Sequence, residues 1–320
     1  MDNIIYKKID EIGVVAVLGT GSVGASWIAL FLAHGLEVIA YDPSPNAPKN
    51  VNDFVSNAWP ALCELGRTKL PHPPLDLIRF VSSAGEAARM ADVIQENCPE
   101  HLEIKKQLLS EVDAVAAPSK IILSSTGGIP PSVMQEACTY PERLVVLHPF
   151  NPTHLIPLVE VVGGRKTSPV VVDWAMDFAR SLHKQPICLH AETNGHMANR
   201  LQFALMREAV ACLQDGIASA RDIDAAVRYG LGPRWALMGG LLTLHLAGGD
   251  KGMQGILDHA GQAIQEWWTP SESVTLTPEL VQKLVKAAQE VSQGESVQHW
   301  VKWRDEGLVD VLKLQEKLGA

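Results

Sequence analysis

Two titratable side chains interrupt stretches that otherwise read as buried strands. In "LHPFNPTHLIPLVEVV", residues 147 to 162, His148 closes one apolar run and Glu160 lies inside the next. Glutamate is almost never fully buried without a partner. Neighbouring strands could set Glu160 against one imidazole nitrogen. That bond would fix the tautomer and stabilise the imidazolium, leaving the other nitrogen to take the proton of a substrate hydroxyl as a general base. The plainer reading is a His-Glu pair that only locks two strands together.

A second constellation points to the hydride acceptor such a base would need. In "VVAVLGTGSVGASWIALFLAHG", the run Gly19-Thr20-Gly21-Ser22-Val23-Gly24 spells G-x-G-x-x-G between a β-branched segment and helical apolar spacing. The first glycine permits the turn, the second lets backbone approach a pyrophosphate, and the third lets helix and strand pack closely. The helix start, with Ser22 and Val23, then faces the phosphates. "LEVIAYD" ends in Asp42, 18 residues after Gly24, a spacing at which an acid bonds the adenosine ribose. A carboxylate there repels a 2′-phosphate, and Pro43 to Asn46 include no arginine to receive one, so NAD is expected rather than NADP. The plainer reading of Asp42 is the start of a proline-rich turn.

These residues require a particular scaffold. Strands are expected near Val14 to Leu18, Leu36 to Asp42, Arg79 to Ser82, Asp92 to Gln95, Ile121 to Ser124, Leu144 to His148 and Leu158 to Val162. Helices are expected near Val51 to Leu65, Glu100 to Val115 and Pro169 to Leu182. The alternation describes an α/β fold with a doubly wound, mostly parallel Rossmann-type sheet. Its strand ends deliver Glu96, Ser124, Ser125 and His148 to the crevice where such sheets bind ligands. After about residue 190 only helical patterns remain, which predicts an NAD-binding domain over 1–190 and an all-helical substrate and dimerisation domain over 191–320.

Composition narrows the partners. The 320 residues are 47% hydrophobic and 20% charged, a globular balance, with a net charge of -9. With no basic block or stripe, nucleic acid is not an expected partner. The segment from Gly13 to Leu36 carries no charged residue, yet its glycines fit a nucleotide loop better than a membrane span, and no membrane partner is expected. Five cysteines, at 63, 98, 138, 188 and 212, form no CxxC pair. They suit a reducing cytoplasm, and no metal site is expected. The apolar helical half predicts a homodimer.

The glycine loop, "SSTGGIPPS", "HPFNPTHLIPLVEVV" and "NGHMANRLQ" stand in the order and spacing of the 3-hydroxyacyl-CoA dehydrogenase superfamily, which the chain resembles over nearly its whole length. The resemblance implies a His-Glu dyad for proton transfer, NAD for hydride transfer, and a serine and an asparagine that hold the substrate oxygen. It implies His148 as base, Glu160 as its partner, Asn199 as the substrate-side amide and Asn151 near the nicotinamide. Glu96 and Lys105, with Ser124, are expected to line the cofactor site. One position departs. The family serine falls on Gly127 of Thr126-Gly127-Gly128, so Ser125, Ser124 or a water is expected to assume part of its catalytic role.

CoA-using members resemble one another in a lysine-rich helical hairpin after the second strand. Here residues 42 to 76 hold only Lys49, Arg67 and Lys69, so the expected substrate is a small free 3-hydroxy acid. "RYGLGPRWALMG", "LAGGDKGM" and "WWT" look most like members that oxidise L-carnitine, while "NRLQ" and "WRDEGL" are equally at home in those that oxidise L-gulonate. A trimethylammonium group needs an aromatic wall, for which Phe150, Trp235 and Trp268 are candidates. Arg200, Arg228 and Arg234 are candidate carboxylate partners. An NADH-binding, crystallin-like structural protein is the alternative of a different class.

Overall fold

The computed structural model describes residues 4–268 and 277–319. The chain divides into two compact units, Met1–Arg200 and Leu201–Ala320. The first contains β1 (Val14–Leu18), α1 (Ser22–Ala33), β2 (Glu37–Tyr41), α2 (Ala47–Glu64), β3 (Ile78–Phe80), α3 (Ala84–Met90), β4 (Val93–Glu96) and α4 (Leu102–Val115). It continues with β5 (Ile122–Ser124), α5 (Pro131–Met134), β6 (Leu144–Pro149), β7 (Leu158–Gly163), α6 (Pro169–Ser181), β8 (Gln185–Leu189) and the start of α7 (Ala198–Gln214). The strands form one sheet in the order β3-β2-β1-β4-β5-β6-β7-β8. Every pairing is parallel except that of β6 with β7.

Strand periodicity explains the layers. Val15 and Val17 of β1 join a core built with α1, α2 and α6, whereas Ala16 and Leu18 join a core with α3, α4 and α5 on the other face. The uncharged run becomes α1, buried from Gly24 to Ala33, with Trp27 and Phe31 stacked at 5.4 Å. Each large apolar side chain buried there contributes about 1.5–3 kcal/mol. The absence of charge therefore reflects burial within a helical layer. Among the described residues no helix is long and apolar enough to cross a membrane.

β8 and α3 are among the elements that the sequence pattern does not mark. β8 carries Pro186 and is largely half-exposed, both features of an edge strand, where a missing N–H costs no ladder bond. α3 has seven alanine-rich residues, too few for an apolar stripe, and is started by Ser83, whose hydroxyl accepts from the Glu86 amide.

The second unit continues α7 and adds α8 (Ala220–Ala225), α9 (Gly232–Trp235), α10 (Gly240–Ala247), α11 (Gly252–Trp267), α12 (Pro278–Val291) and α13 (Val297–Leu318), with a π-helical turn over Ala226–Leu231. It has no strand among its described residues.

Candidate active site

The sheet delivers its polar residues as its register dictates. Leu18 of β1 pairs with Tyr41 on one side and Glu96 on the other, so the glycine loop, Asp42 and the residues after Glu96 lie along one carboxyl edge. Gly19 has φ +84°, and a β-carbon there would lie 2.7 Å from the Asn97 carbonyl oxygen. A β-carbon on Gly24 would lie 2.0 Å from the Gly19 carbonyl oxygen. Gly21, by contrast, faces open space and precedes a helix start that no side chain caps. Gly21 and Ser22 are exposed and Val23 half-buried. This cradle fits a pyrophosphate, which would sit over Gly21 and receive the free amides of α1. Asp42 accepts from the Thr20 amide at 2.7 Å, the Thr20 hydroxyl at 3.0 Å and the Ser44 amide at 2.9 Å. The same carboxylate thus braces the glycine loop and retains acceptor capacity for a ribose hydroxyl.

On the other half of the edge, antiparallel pairing places His148 directly opposite Glu160. His148 Nδ1 lies 2.9 Å from Glu160 Oε2, and Glu160 is fully buried. The first residue of α7 and the one before it donate two further bonds to Glu160 Oε1, from the Met197 amide at 3.0 Å and the Ala198 amide at 2.8 Å. Burial alone would raise the pKa of this carboxyl. The bonds from His148 and the two amides outweigh it and hold Glu160 below its ordinary value. An ionised carboxylate only accepts, so His148 Nδ1 carries a proton and Nε2 of the neutral ring presents a lone pair.

That lone pair faces Gly127. A β-carbon built on Gly127 would stand 3.3 Å from His148 Nε2 and 3.4 Å from Asn199 Nδ2. Asn199 donates to the Gly127 carbonyl at 2.9 Å, which turns its amide nitrogen toward the same spot. The Phe150 ring lies 4.8 Å from the imidazole, and Asn151 follows it in the exposed start of the β6–β7 loop. His148, Glu160, Gly127, Asn199 and Phe150 therefore come together within the first unit.

The serines after β5 are placed differently. Ser124 is buried, and its hydroxyl donates to Glu96 in a very short bond. Ser125 accepts from Trp27 Nε1 at 3.0 Å and Gln95 Nε2 at 2.9 Å, and donates to Asn97 Oδ1 at 2.7 Å. Both hydroxyls are committed to the scaffold. Glu96 and Lys105 form a buried ion pair of 2.8 Å that also bonds the Cys98 amide and carbonyl, so this pair supports the loop beginning at Asn97.

Trp235 and Trp268 belong to the second unit and are 42% and 72% exposed. Thr269, the end of the WWT segment, lies outside the described residues. Arg228 lies over the Tyr229 and Trp303 rings of that unit, and Arg234 donates to the Gly230 carbonyl. Arg200, in the first unit, donates to Thr193.

Two residues near the dyad carry no sequence expectation of their own. His196 is fully buried, with its ring 5.4 Å from that of His148 and its Nε2 donating to the Thr126 carbonyl at 3.1 Å. Burial, and next the charge that His148 would carry when protonated, lower its pKa. Glu100 accepts from the Thr126 hydroxyl at 2.6 Å and the Gly128 amide at 2.9 Å. A histidine between glycine and methionine at a helix start was the only signal for the first, and nothing local marks the second.

A doubly wound sheet with this phosphate cradle, followed by a helical unit, defines an NAD-dependent dehydrogenase. Sequence comparison specifies the family: the NAD binding domain of 3-hydroxyacyl-CoA dehydrogenase matches residues 14–193 and its C-terminal domain matches residues 195–297, so the chain belongs to that family. It is 42% identical to L-carnitine dehydrogenase of Bacillus cereus over 99% of this chain and 97% of the relative. It is also 42% identical to L-carnitine dehydrogenase of Pseudomonas putida, over 95% and 94%. Among solved structures, the NAD+-dependent dismutase 5-formyl-3-hydroxy-2-methylpyridine 4-carboxylic acid 5-dehydrogenase is similar, with TM-score 0.83 and 29% identity, covering 95% of this chain and 99% of that one. Escherichia coli 3-hydroxybutyryl-CoA dehydrogenase has TM-score 0.64 and 28% identity, covering 87% and 57%.

Proposed function

We propose that the protein oxidises the secondary alcohol of a small free 3-hydroxy acid to the 3-keto acid, with L-carnitine the first substrate to test and 3-dehydrocarnitine its product. The observation that carries this reading is the direction of His148 Nε2, held as a lone pair toward Gly127 and the Asn199 amide. The substrate hydroxyl donates to Nε2, and the second N–H of Asn199 Nδ2 holds the same oxygen. As the carbonyl forms, the proton passes to Nε2 and Glu160 stabilises the resulting imidazolium. Gly21 and Asp42 would hold NAD, which when bound would supply the hydride acceptor.

Three things support carnitine: relatives of that activity at 42% identity, the Phe150 ring beside the base, and an acidic chain that suits a cation. A cation over an aromatic face gains about 0.5–2 kcal/mol. L-gulonate remains the comparison substrate. Five free thiols support a reducing cytoplasm, and a largely exposed apolar second unit supports a homodimer.

The test is NADH formation by purified protein with NAD and carnitine, gulonate or 3-hydroxybutyrate. Carnitine should give the highest kcat/KM; a protein inactive on all three contradicts the reading. His148→Gln should lower kcat by about two to four orders of magnitude while NADH still binds.

A further inference from the structure

Building on His148 as the base, we infer that Gly127 is the specificity-determining position of this site. By carrying no side chain it makes room, directly beside the base, for a reacting carbon flanked by a bulky branched or quaternary group.

A β-carbon at this position would stand 3.3 Å from His148 Nε2 and 3.4 Å from Asn199 Nδ2, the two nitrogens that share the reacting oxygen. Contacts that close place any side chain at 127 inside the space around both. It would press on the reacting carbon and its substituents from the loop side. A glycine leaves that side open down to the backbone.

The opening is held rather than closed by collapse. The Thr126 carbonyl accepts from His196, the Thr126 hydroxyl and Gly128 amide bond Glu100, the Gly127 carbonyl accepts from Asn199, and the Gly128 carbonyl accepts from the Gly195 amide at 3.2 Å. Neighbouring hydroxyls do not fill it either, because those of Ser124 and Ser125 are committed to Glu96 and Asn97. Phe150 flanks the same imidazole, so the admitted group also meets an aromatic face. A tert-alkyl or trimethylammonium-bearing hydroxy acid has the shape this position accepts.

The experiment compares wild type, Gly127→Ala and Gly127→Ser on L-carnitine, 3-hydroxy-4,4-dimethylpentanoate and 3-hydroxybutyrate. It measures kcat/KM with NAD and the dissociation constant of each acid from the protein–NADH complex. Both variants should shift preference toward 3-hydroxybutyrate by about tenfold or more, chiefly through KM for the bulky acids, with NADH affinity unchanged. Unchanged preference in both variants overturns the inference. So does a serine variant that speeds every substrate alike while alanine slows them, since the position would then need a hydroxyl and not space. His148→Gln separates the two readings: it should lose turnover yet keep the wild-type order of binding. Should wild type turn over none of the three while the variants still reorder binding, the proposed reaction fails and the role of Gly127 stands.

Discussion

At the scale of single residues, Lys184 shows how much of this site depends on groups outside the reaction. Its ammonium donates to the carbonyls of Thr153 and Ile156, tying down the loop that carries Phe150 and Asn151, and lies 5.4 Å from the Trp27 ring. Trp27 in turn donates to Ser125. Burial first, and the charge of Arg67 second, lower the pKa of Lys184 from 10.5 to about 7. Between those values the unfolded lysine keeps its proton and the folded one has released it, so stability rises with pH, by up to about 1.4 kcal/mol per unit. Below about 7 the full cost of burying the charge is present. Cys98 and Cys138, pushed up to about 12 by burial, act in the opposite sense, but only once the unfolded thiols ionise near pH 9. Urea unfolding at about pH 7.5 and 8.5 therefore isolates the lysine. Wild type should gain about 1 kcal/mol across that step relative to Lys184→Met, which has no proton to release there. Equal gains in the two proteins would show that Lys184 is charged throughout.

At the scale of elements, the strand-turn-helix from β1 to α1 separates glycines that fold the chain from the glycine proposed to receive the cofactor phosphates. A methyl on Gly24 would meet the Gly19 carbonyl at 2.0 Å, which forces α1 off the sheet, whereas a methyl on Gly21 meets nothing within 4 Å. Gly24→Ala should lower the melting temperature by several degrees and abolish NADH binding. Gly21→Ala should melt as wild type does and bind NADH about tenfold or more weakly, as fluorescence titration would read. Equal loss of stability in both would refute the distinction. These same elements were the legible ones. A glycine loop and a glutamate inside an apolar strand are local signals, and both sit on regular strands whose period sets which face a side chain joins. His148 and Glu160, twelve positions apart on an antiparallel pair, needed only the β6–β7 register to meet. Glu100 and His196 reach the site from loops, and the commitment of Ser124 and Ser125 to Glu96, Asn97, Gln95 and Trp27 depends on strands that are distant in sequence. No periodicity encodes such contacts.

At the scale of the whole molecule, the first unit accounts for its apolar residues by burying them in two cores, but the second does not. α10 reads GLLTLHLA and buries none of its residues, with Leu241 at 79% exposure and Leu246 at 59%. A helix apolar on every side is stable only when covered, and exposed patches of this kind mark interfaces. A net charge of -9 opposes indiscriminate association, so the covering surface must match in shape and polarity, and a second copy joined by a twofold axis meets that need with one patch. Light scattering should give twice the chain mass at micromolar concentration. Replacing both Leu241 and Leu246 by glutamate should halve that mass while leaving NADH affinity within about twofold, because the phosphate cradle and Asp42 lie in the first unit. A wild-type monomer, or a double variant that keeps the dimer mass, would show that α10 is covered in some other way.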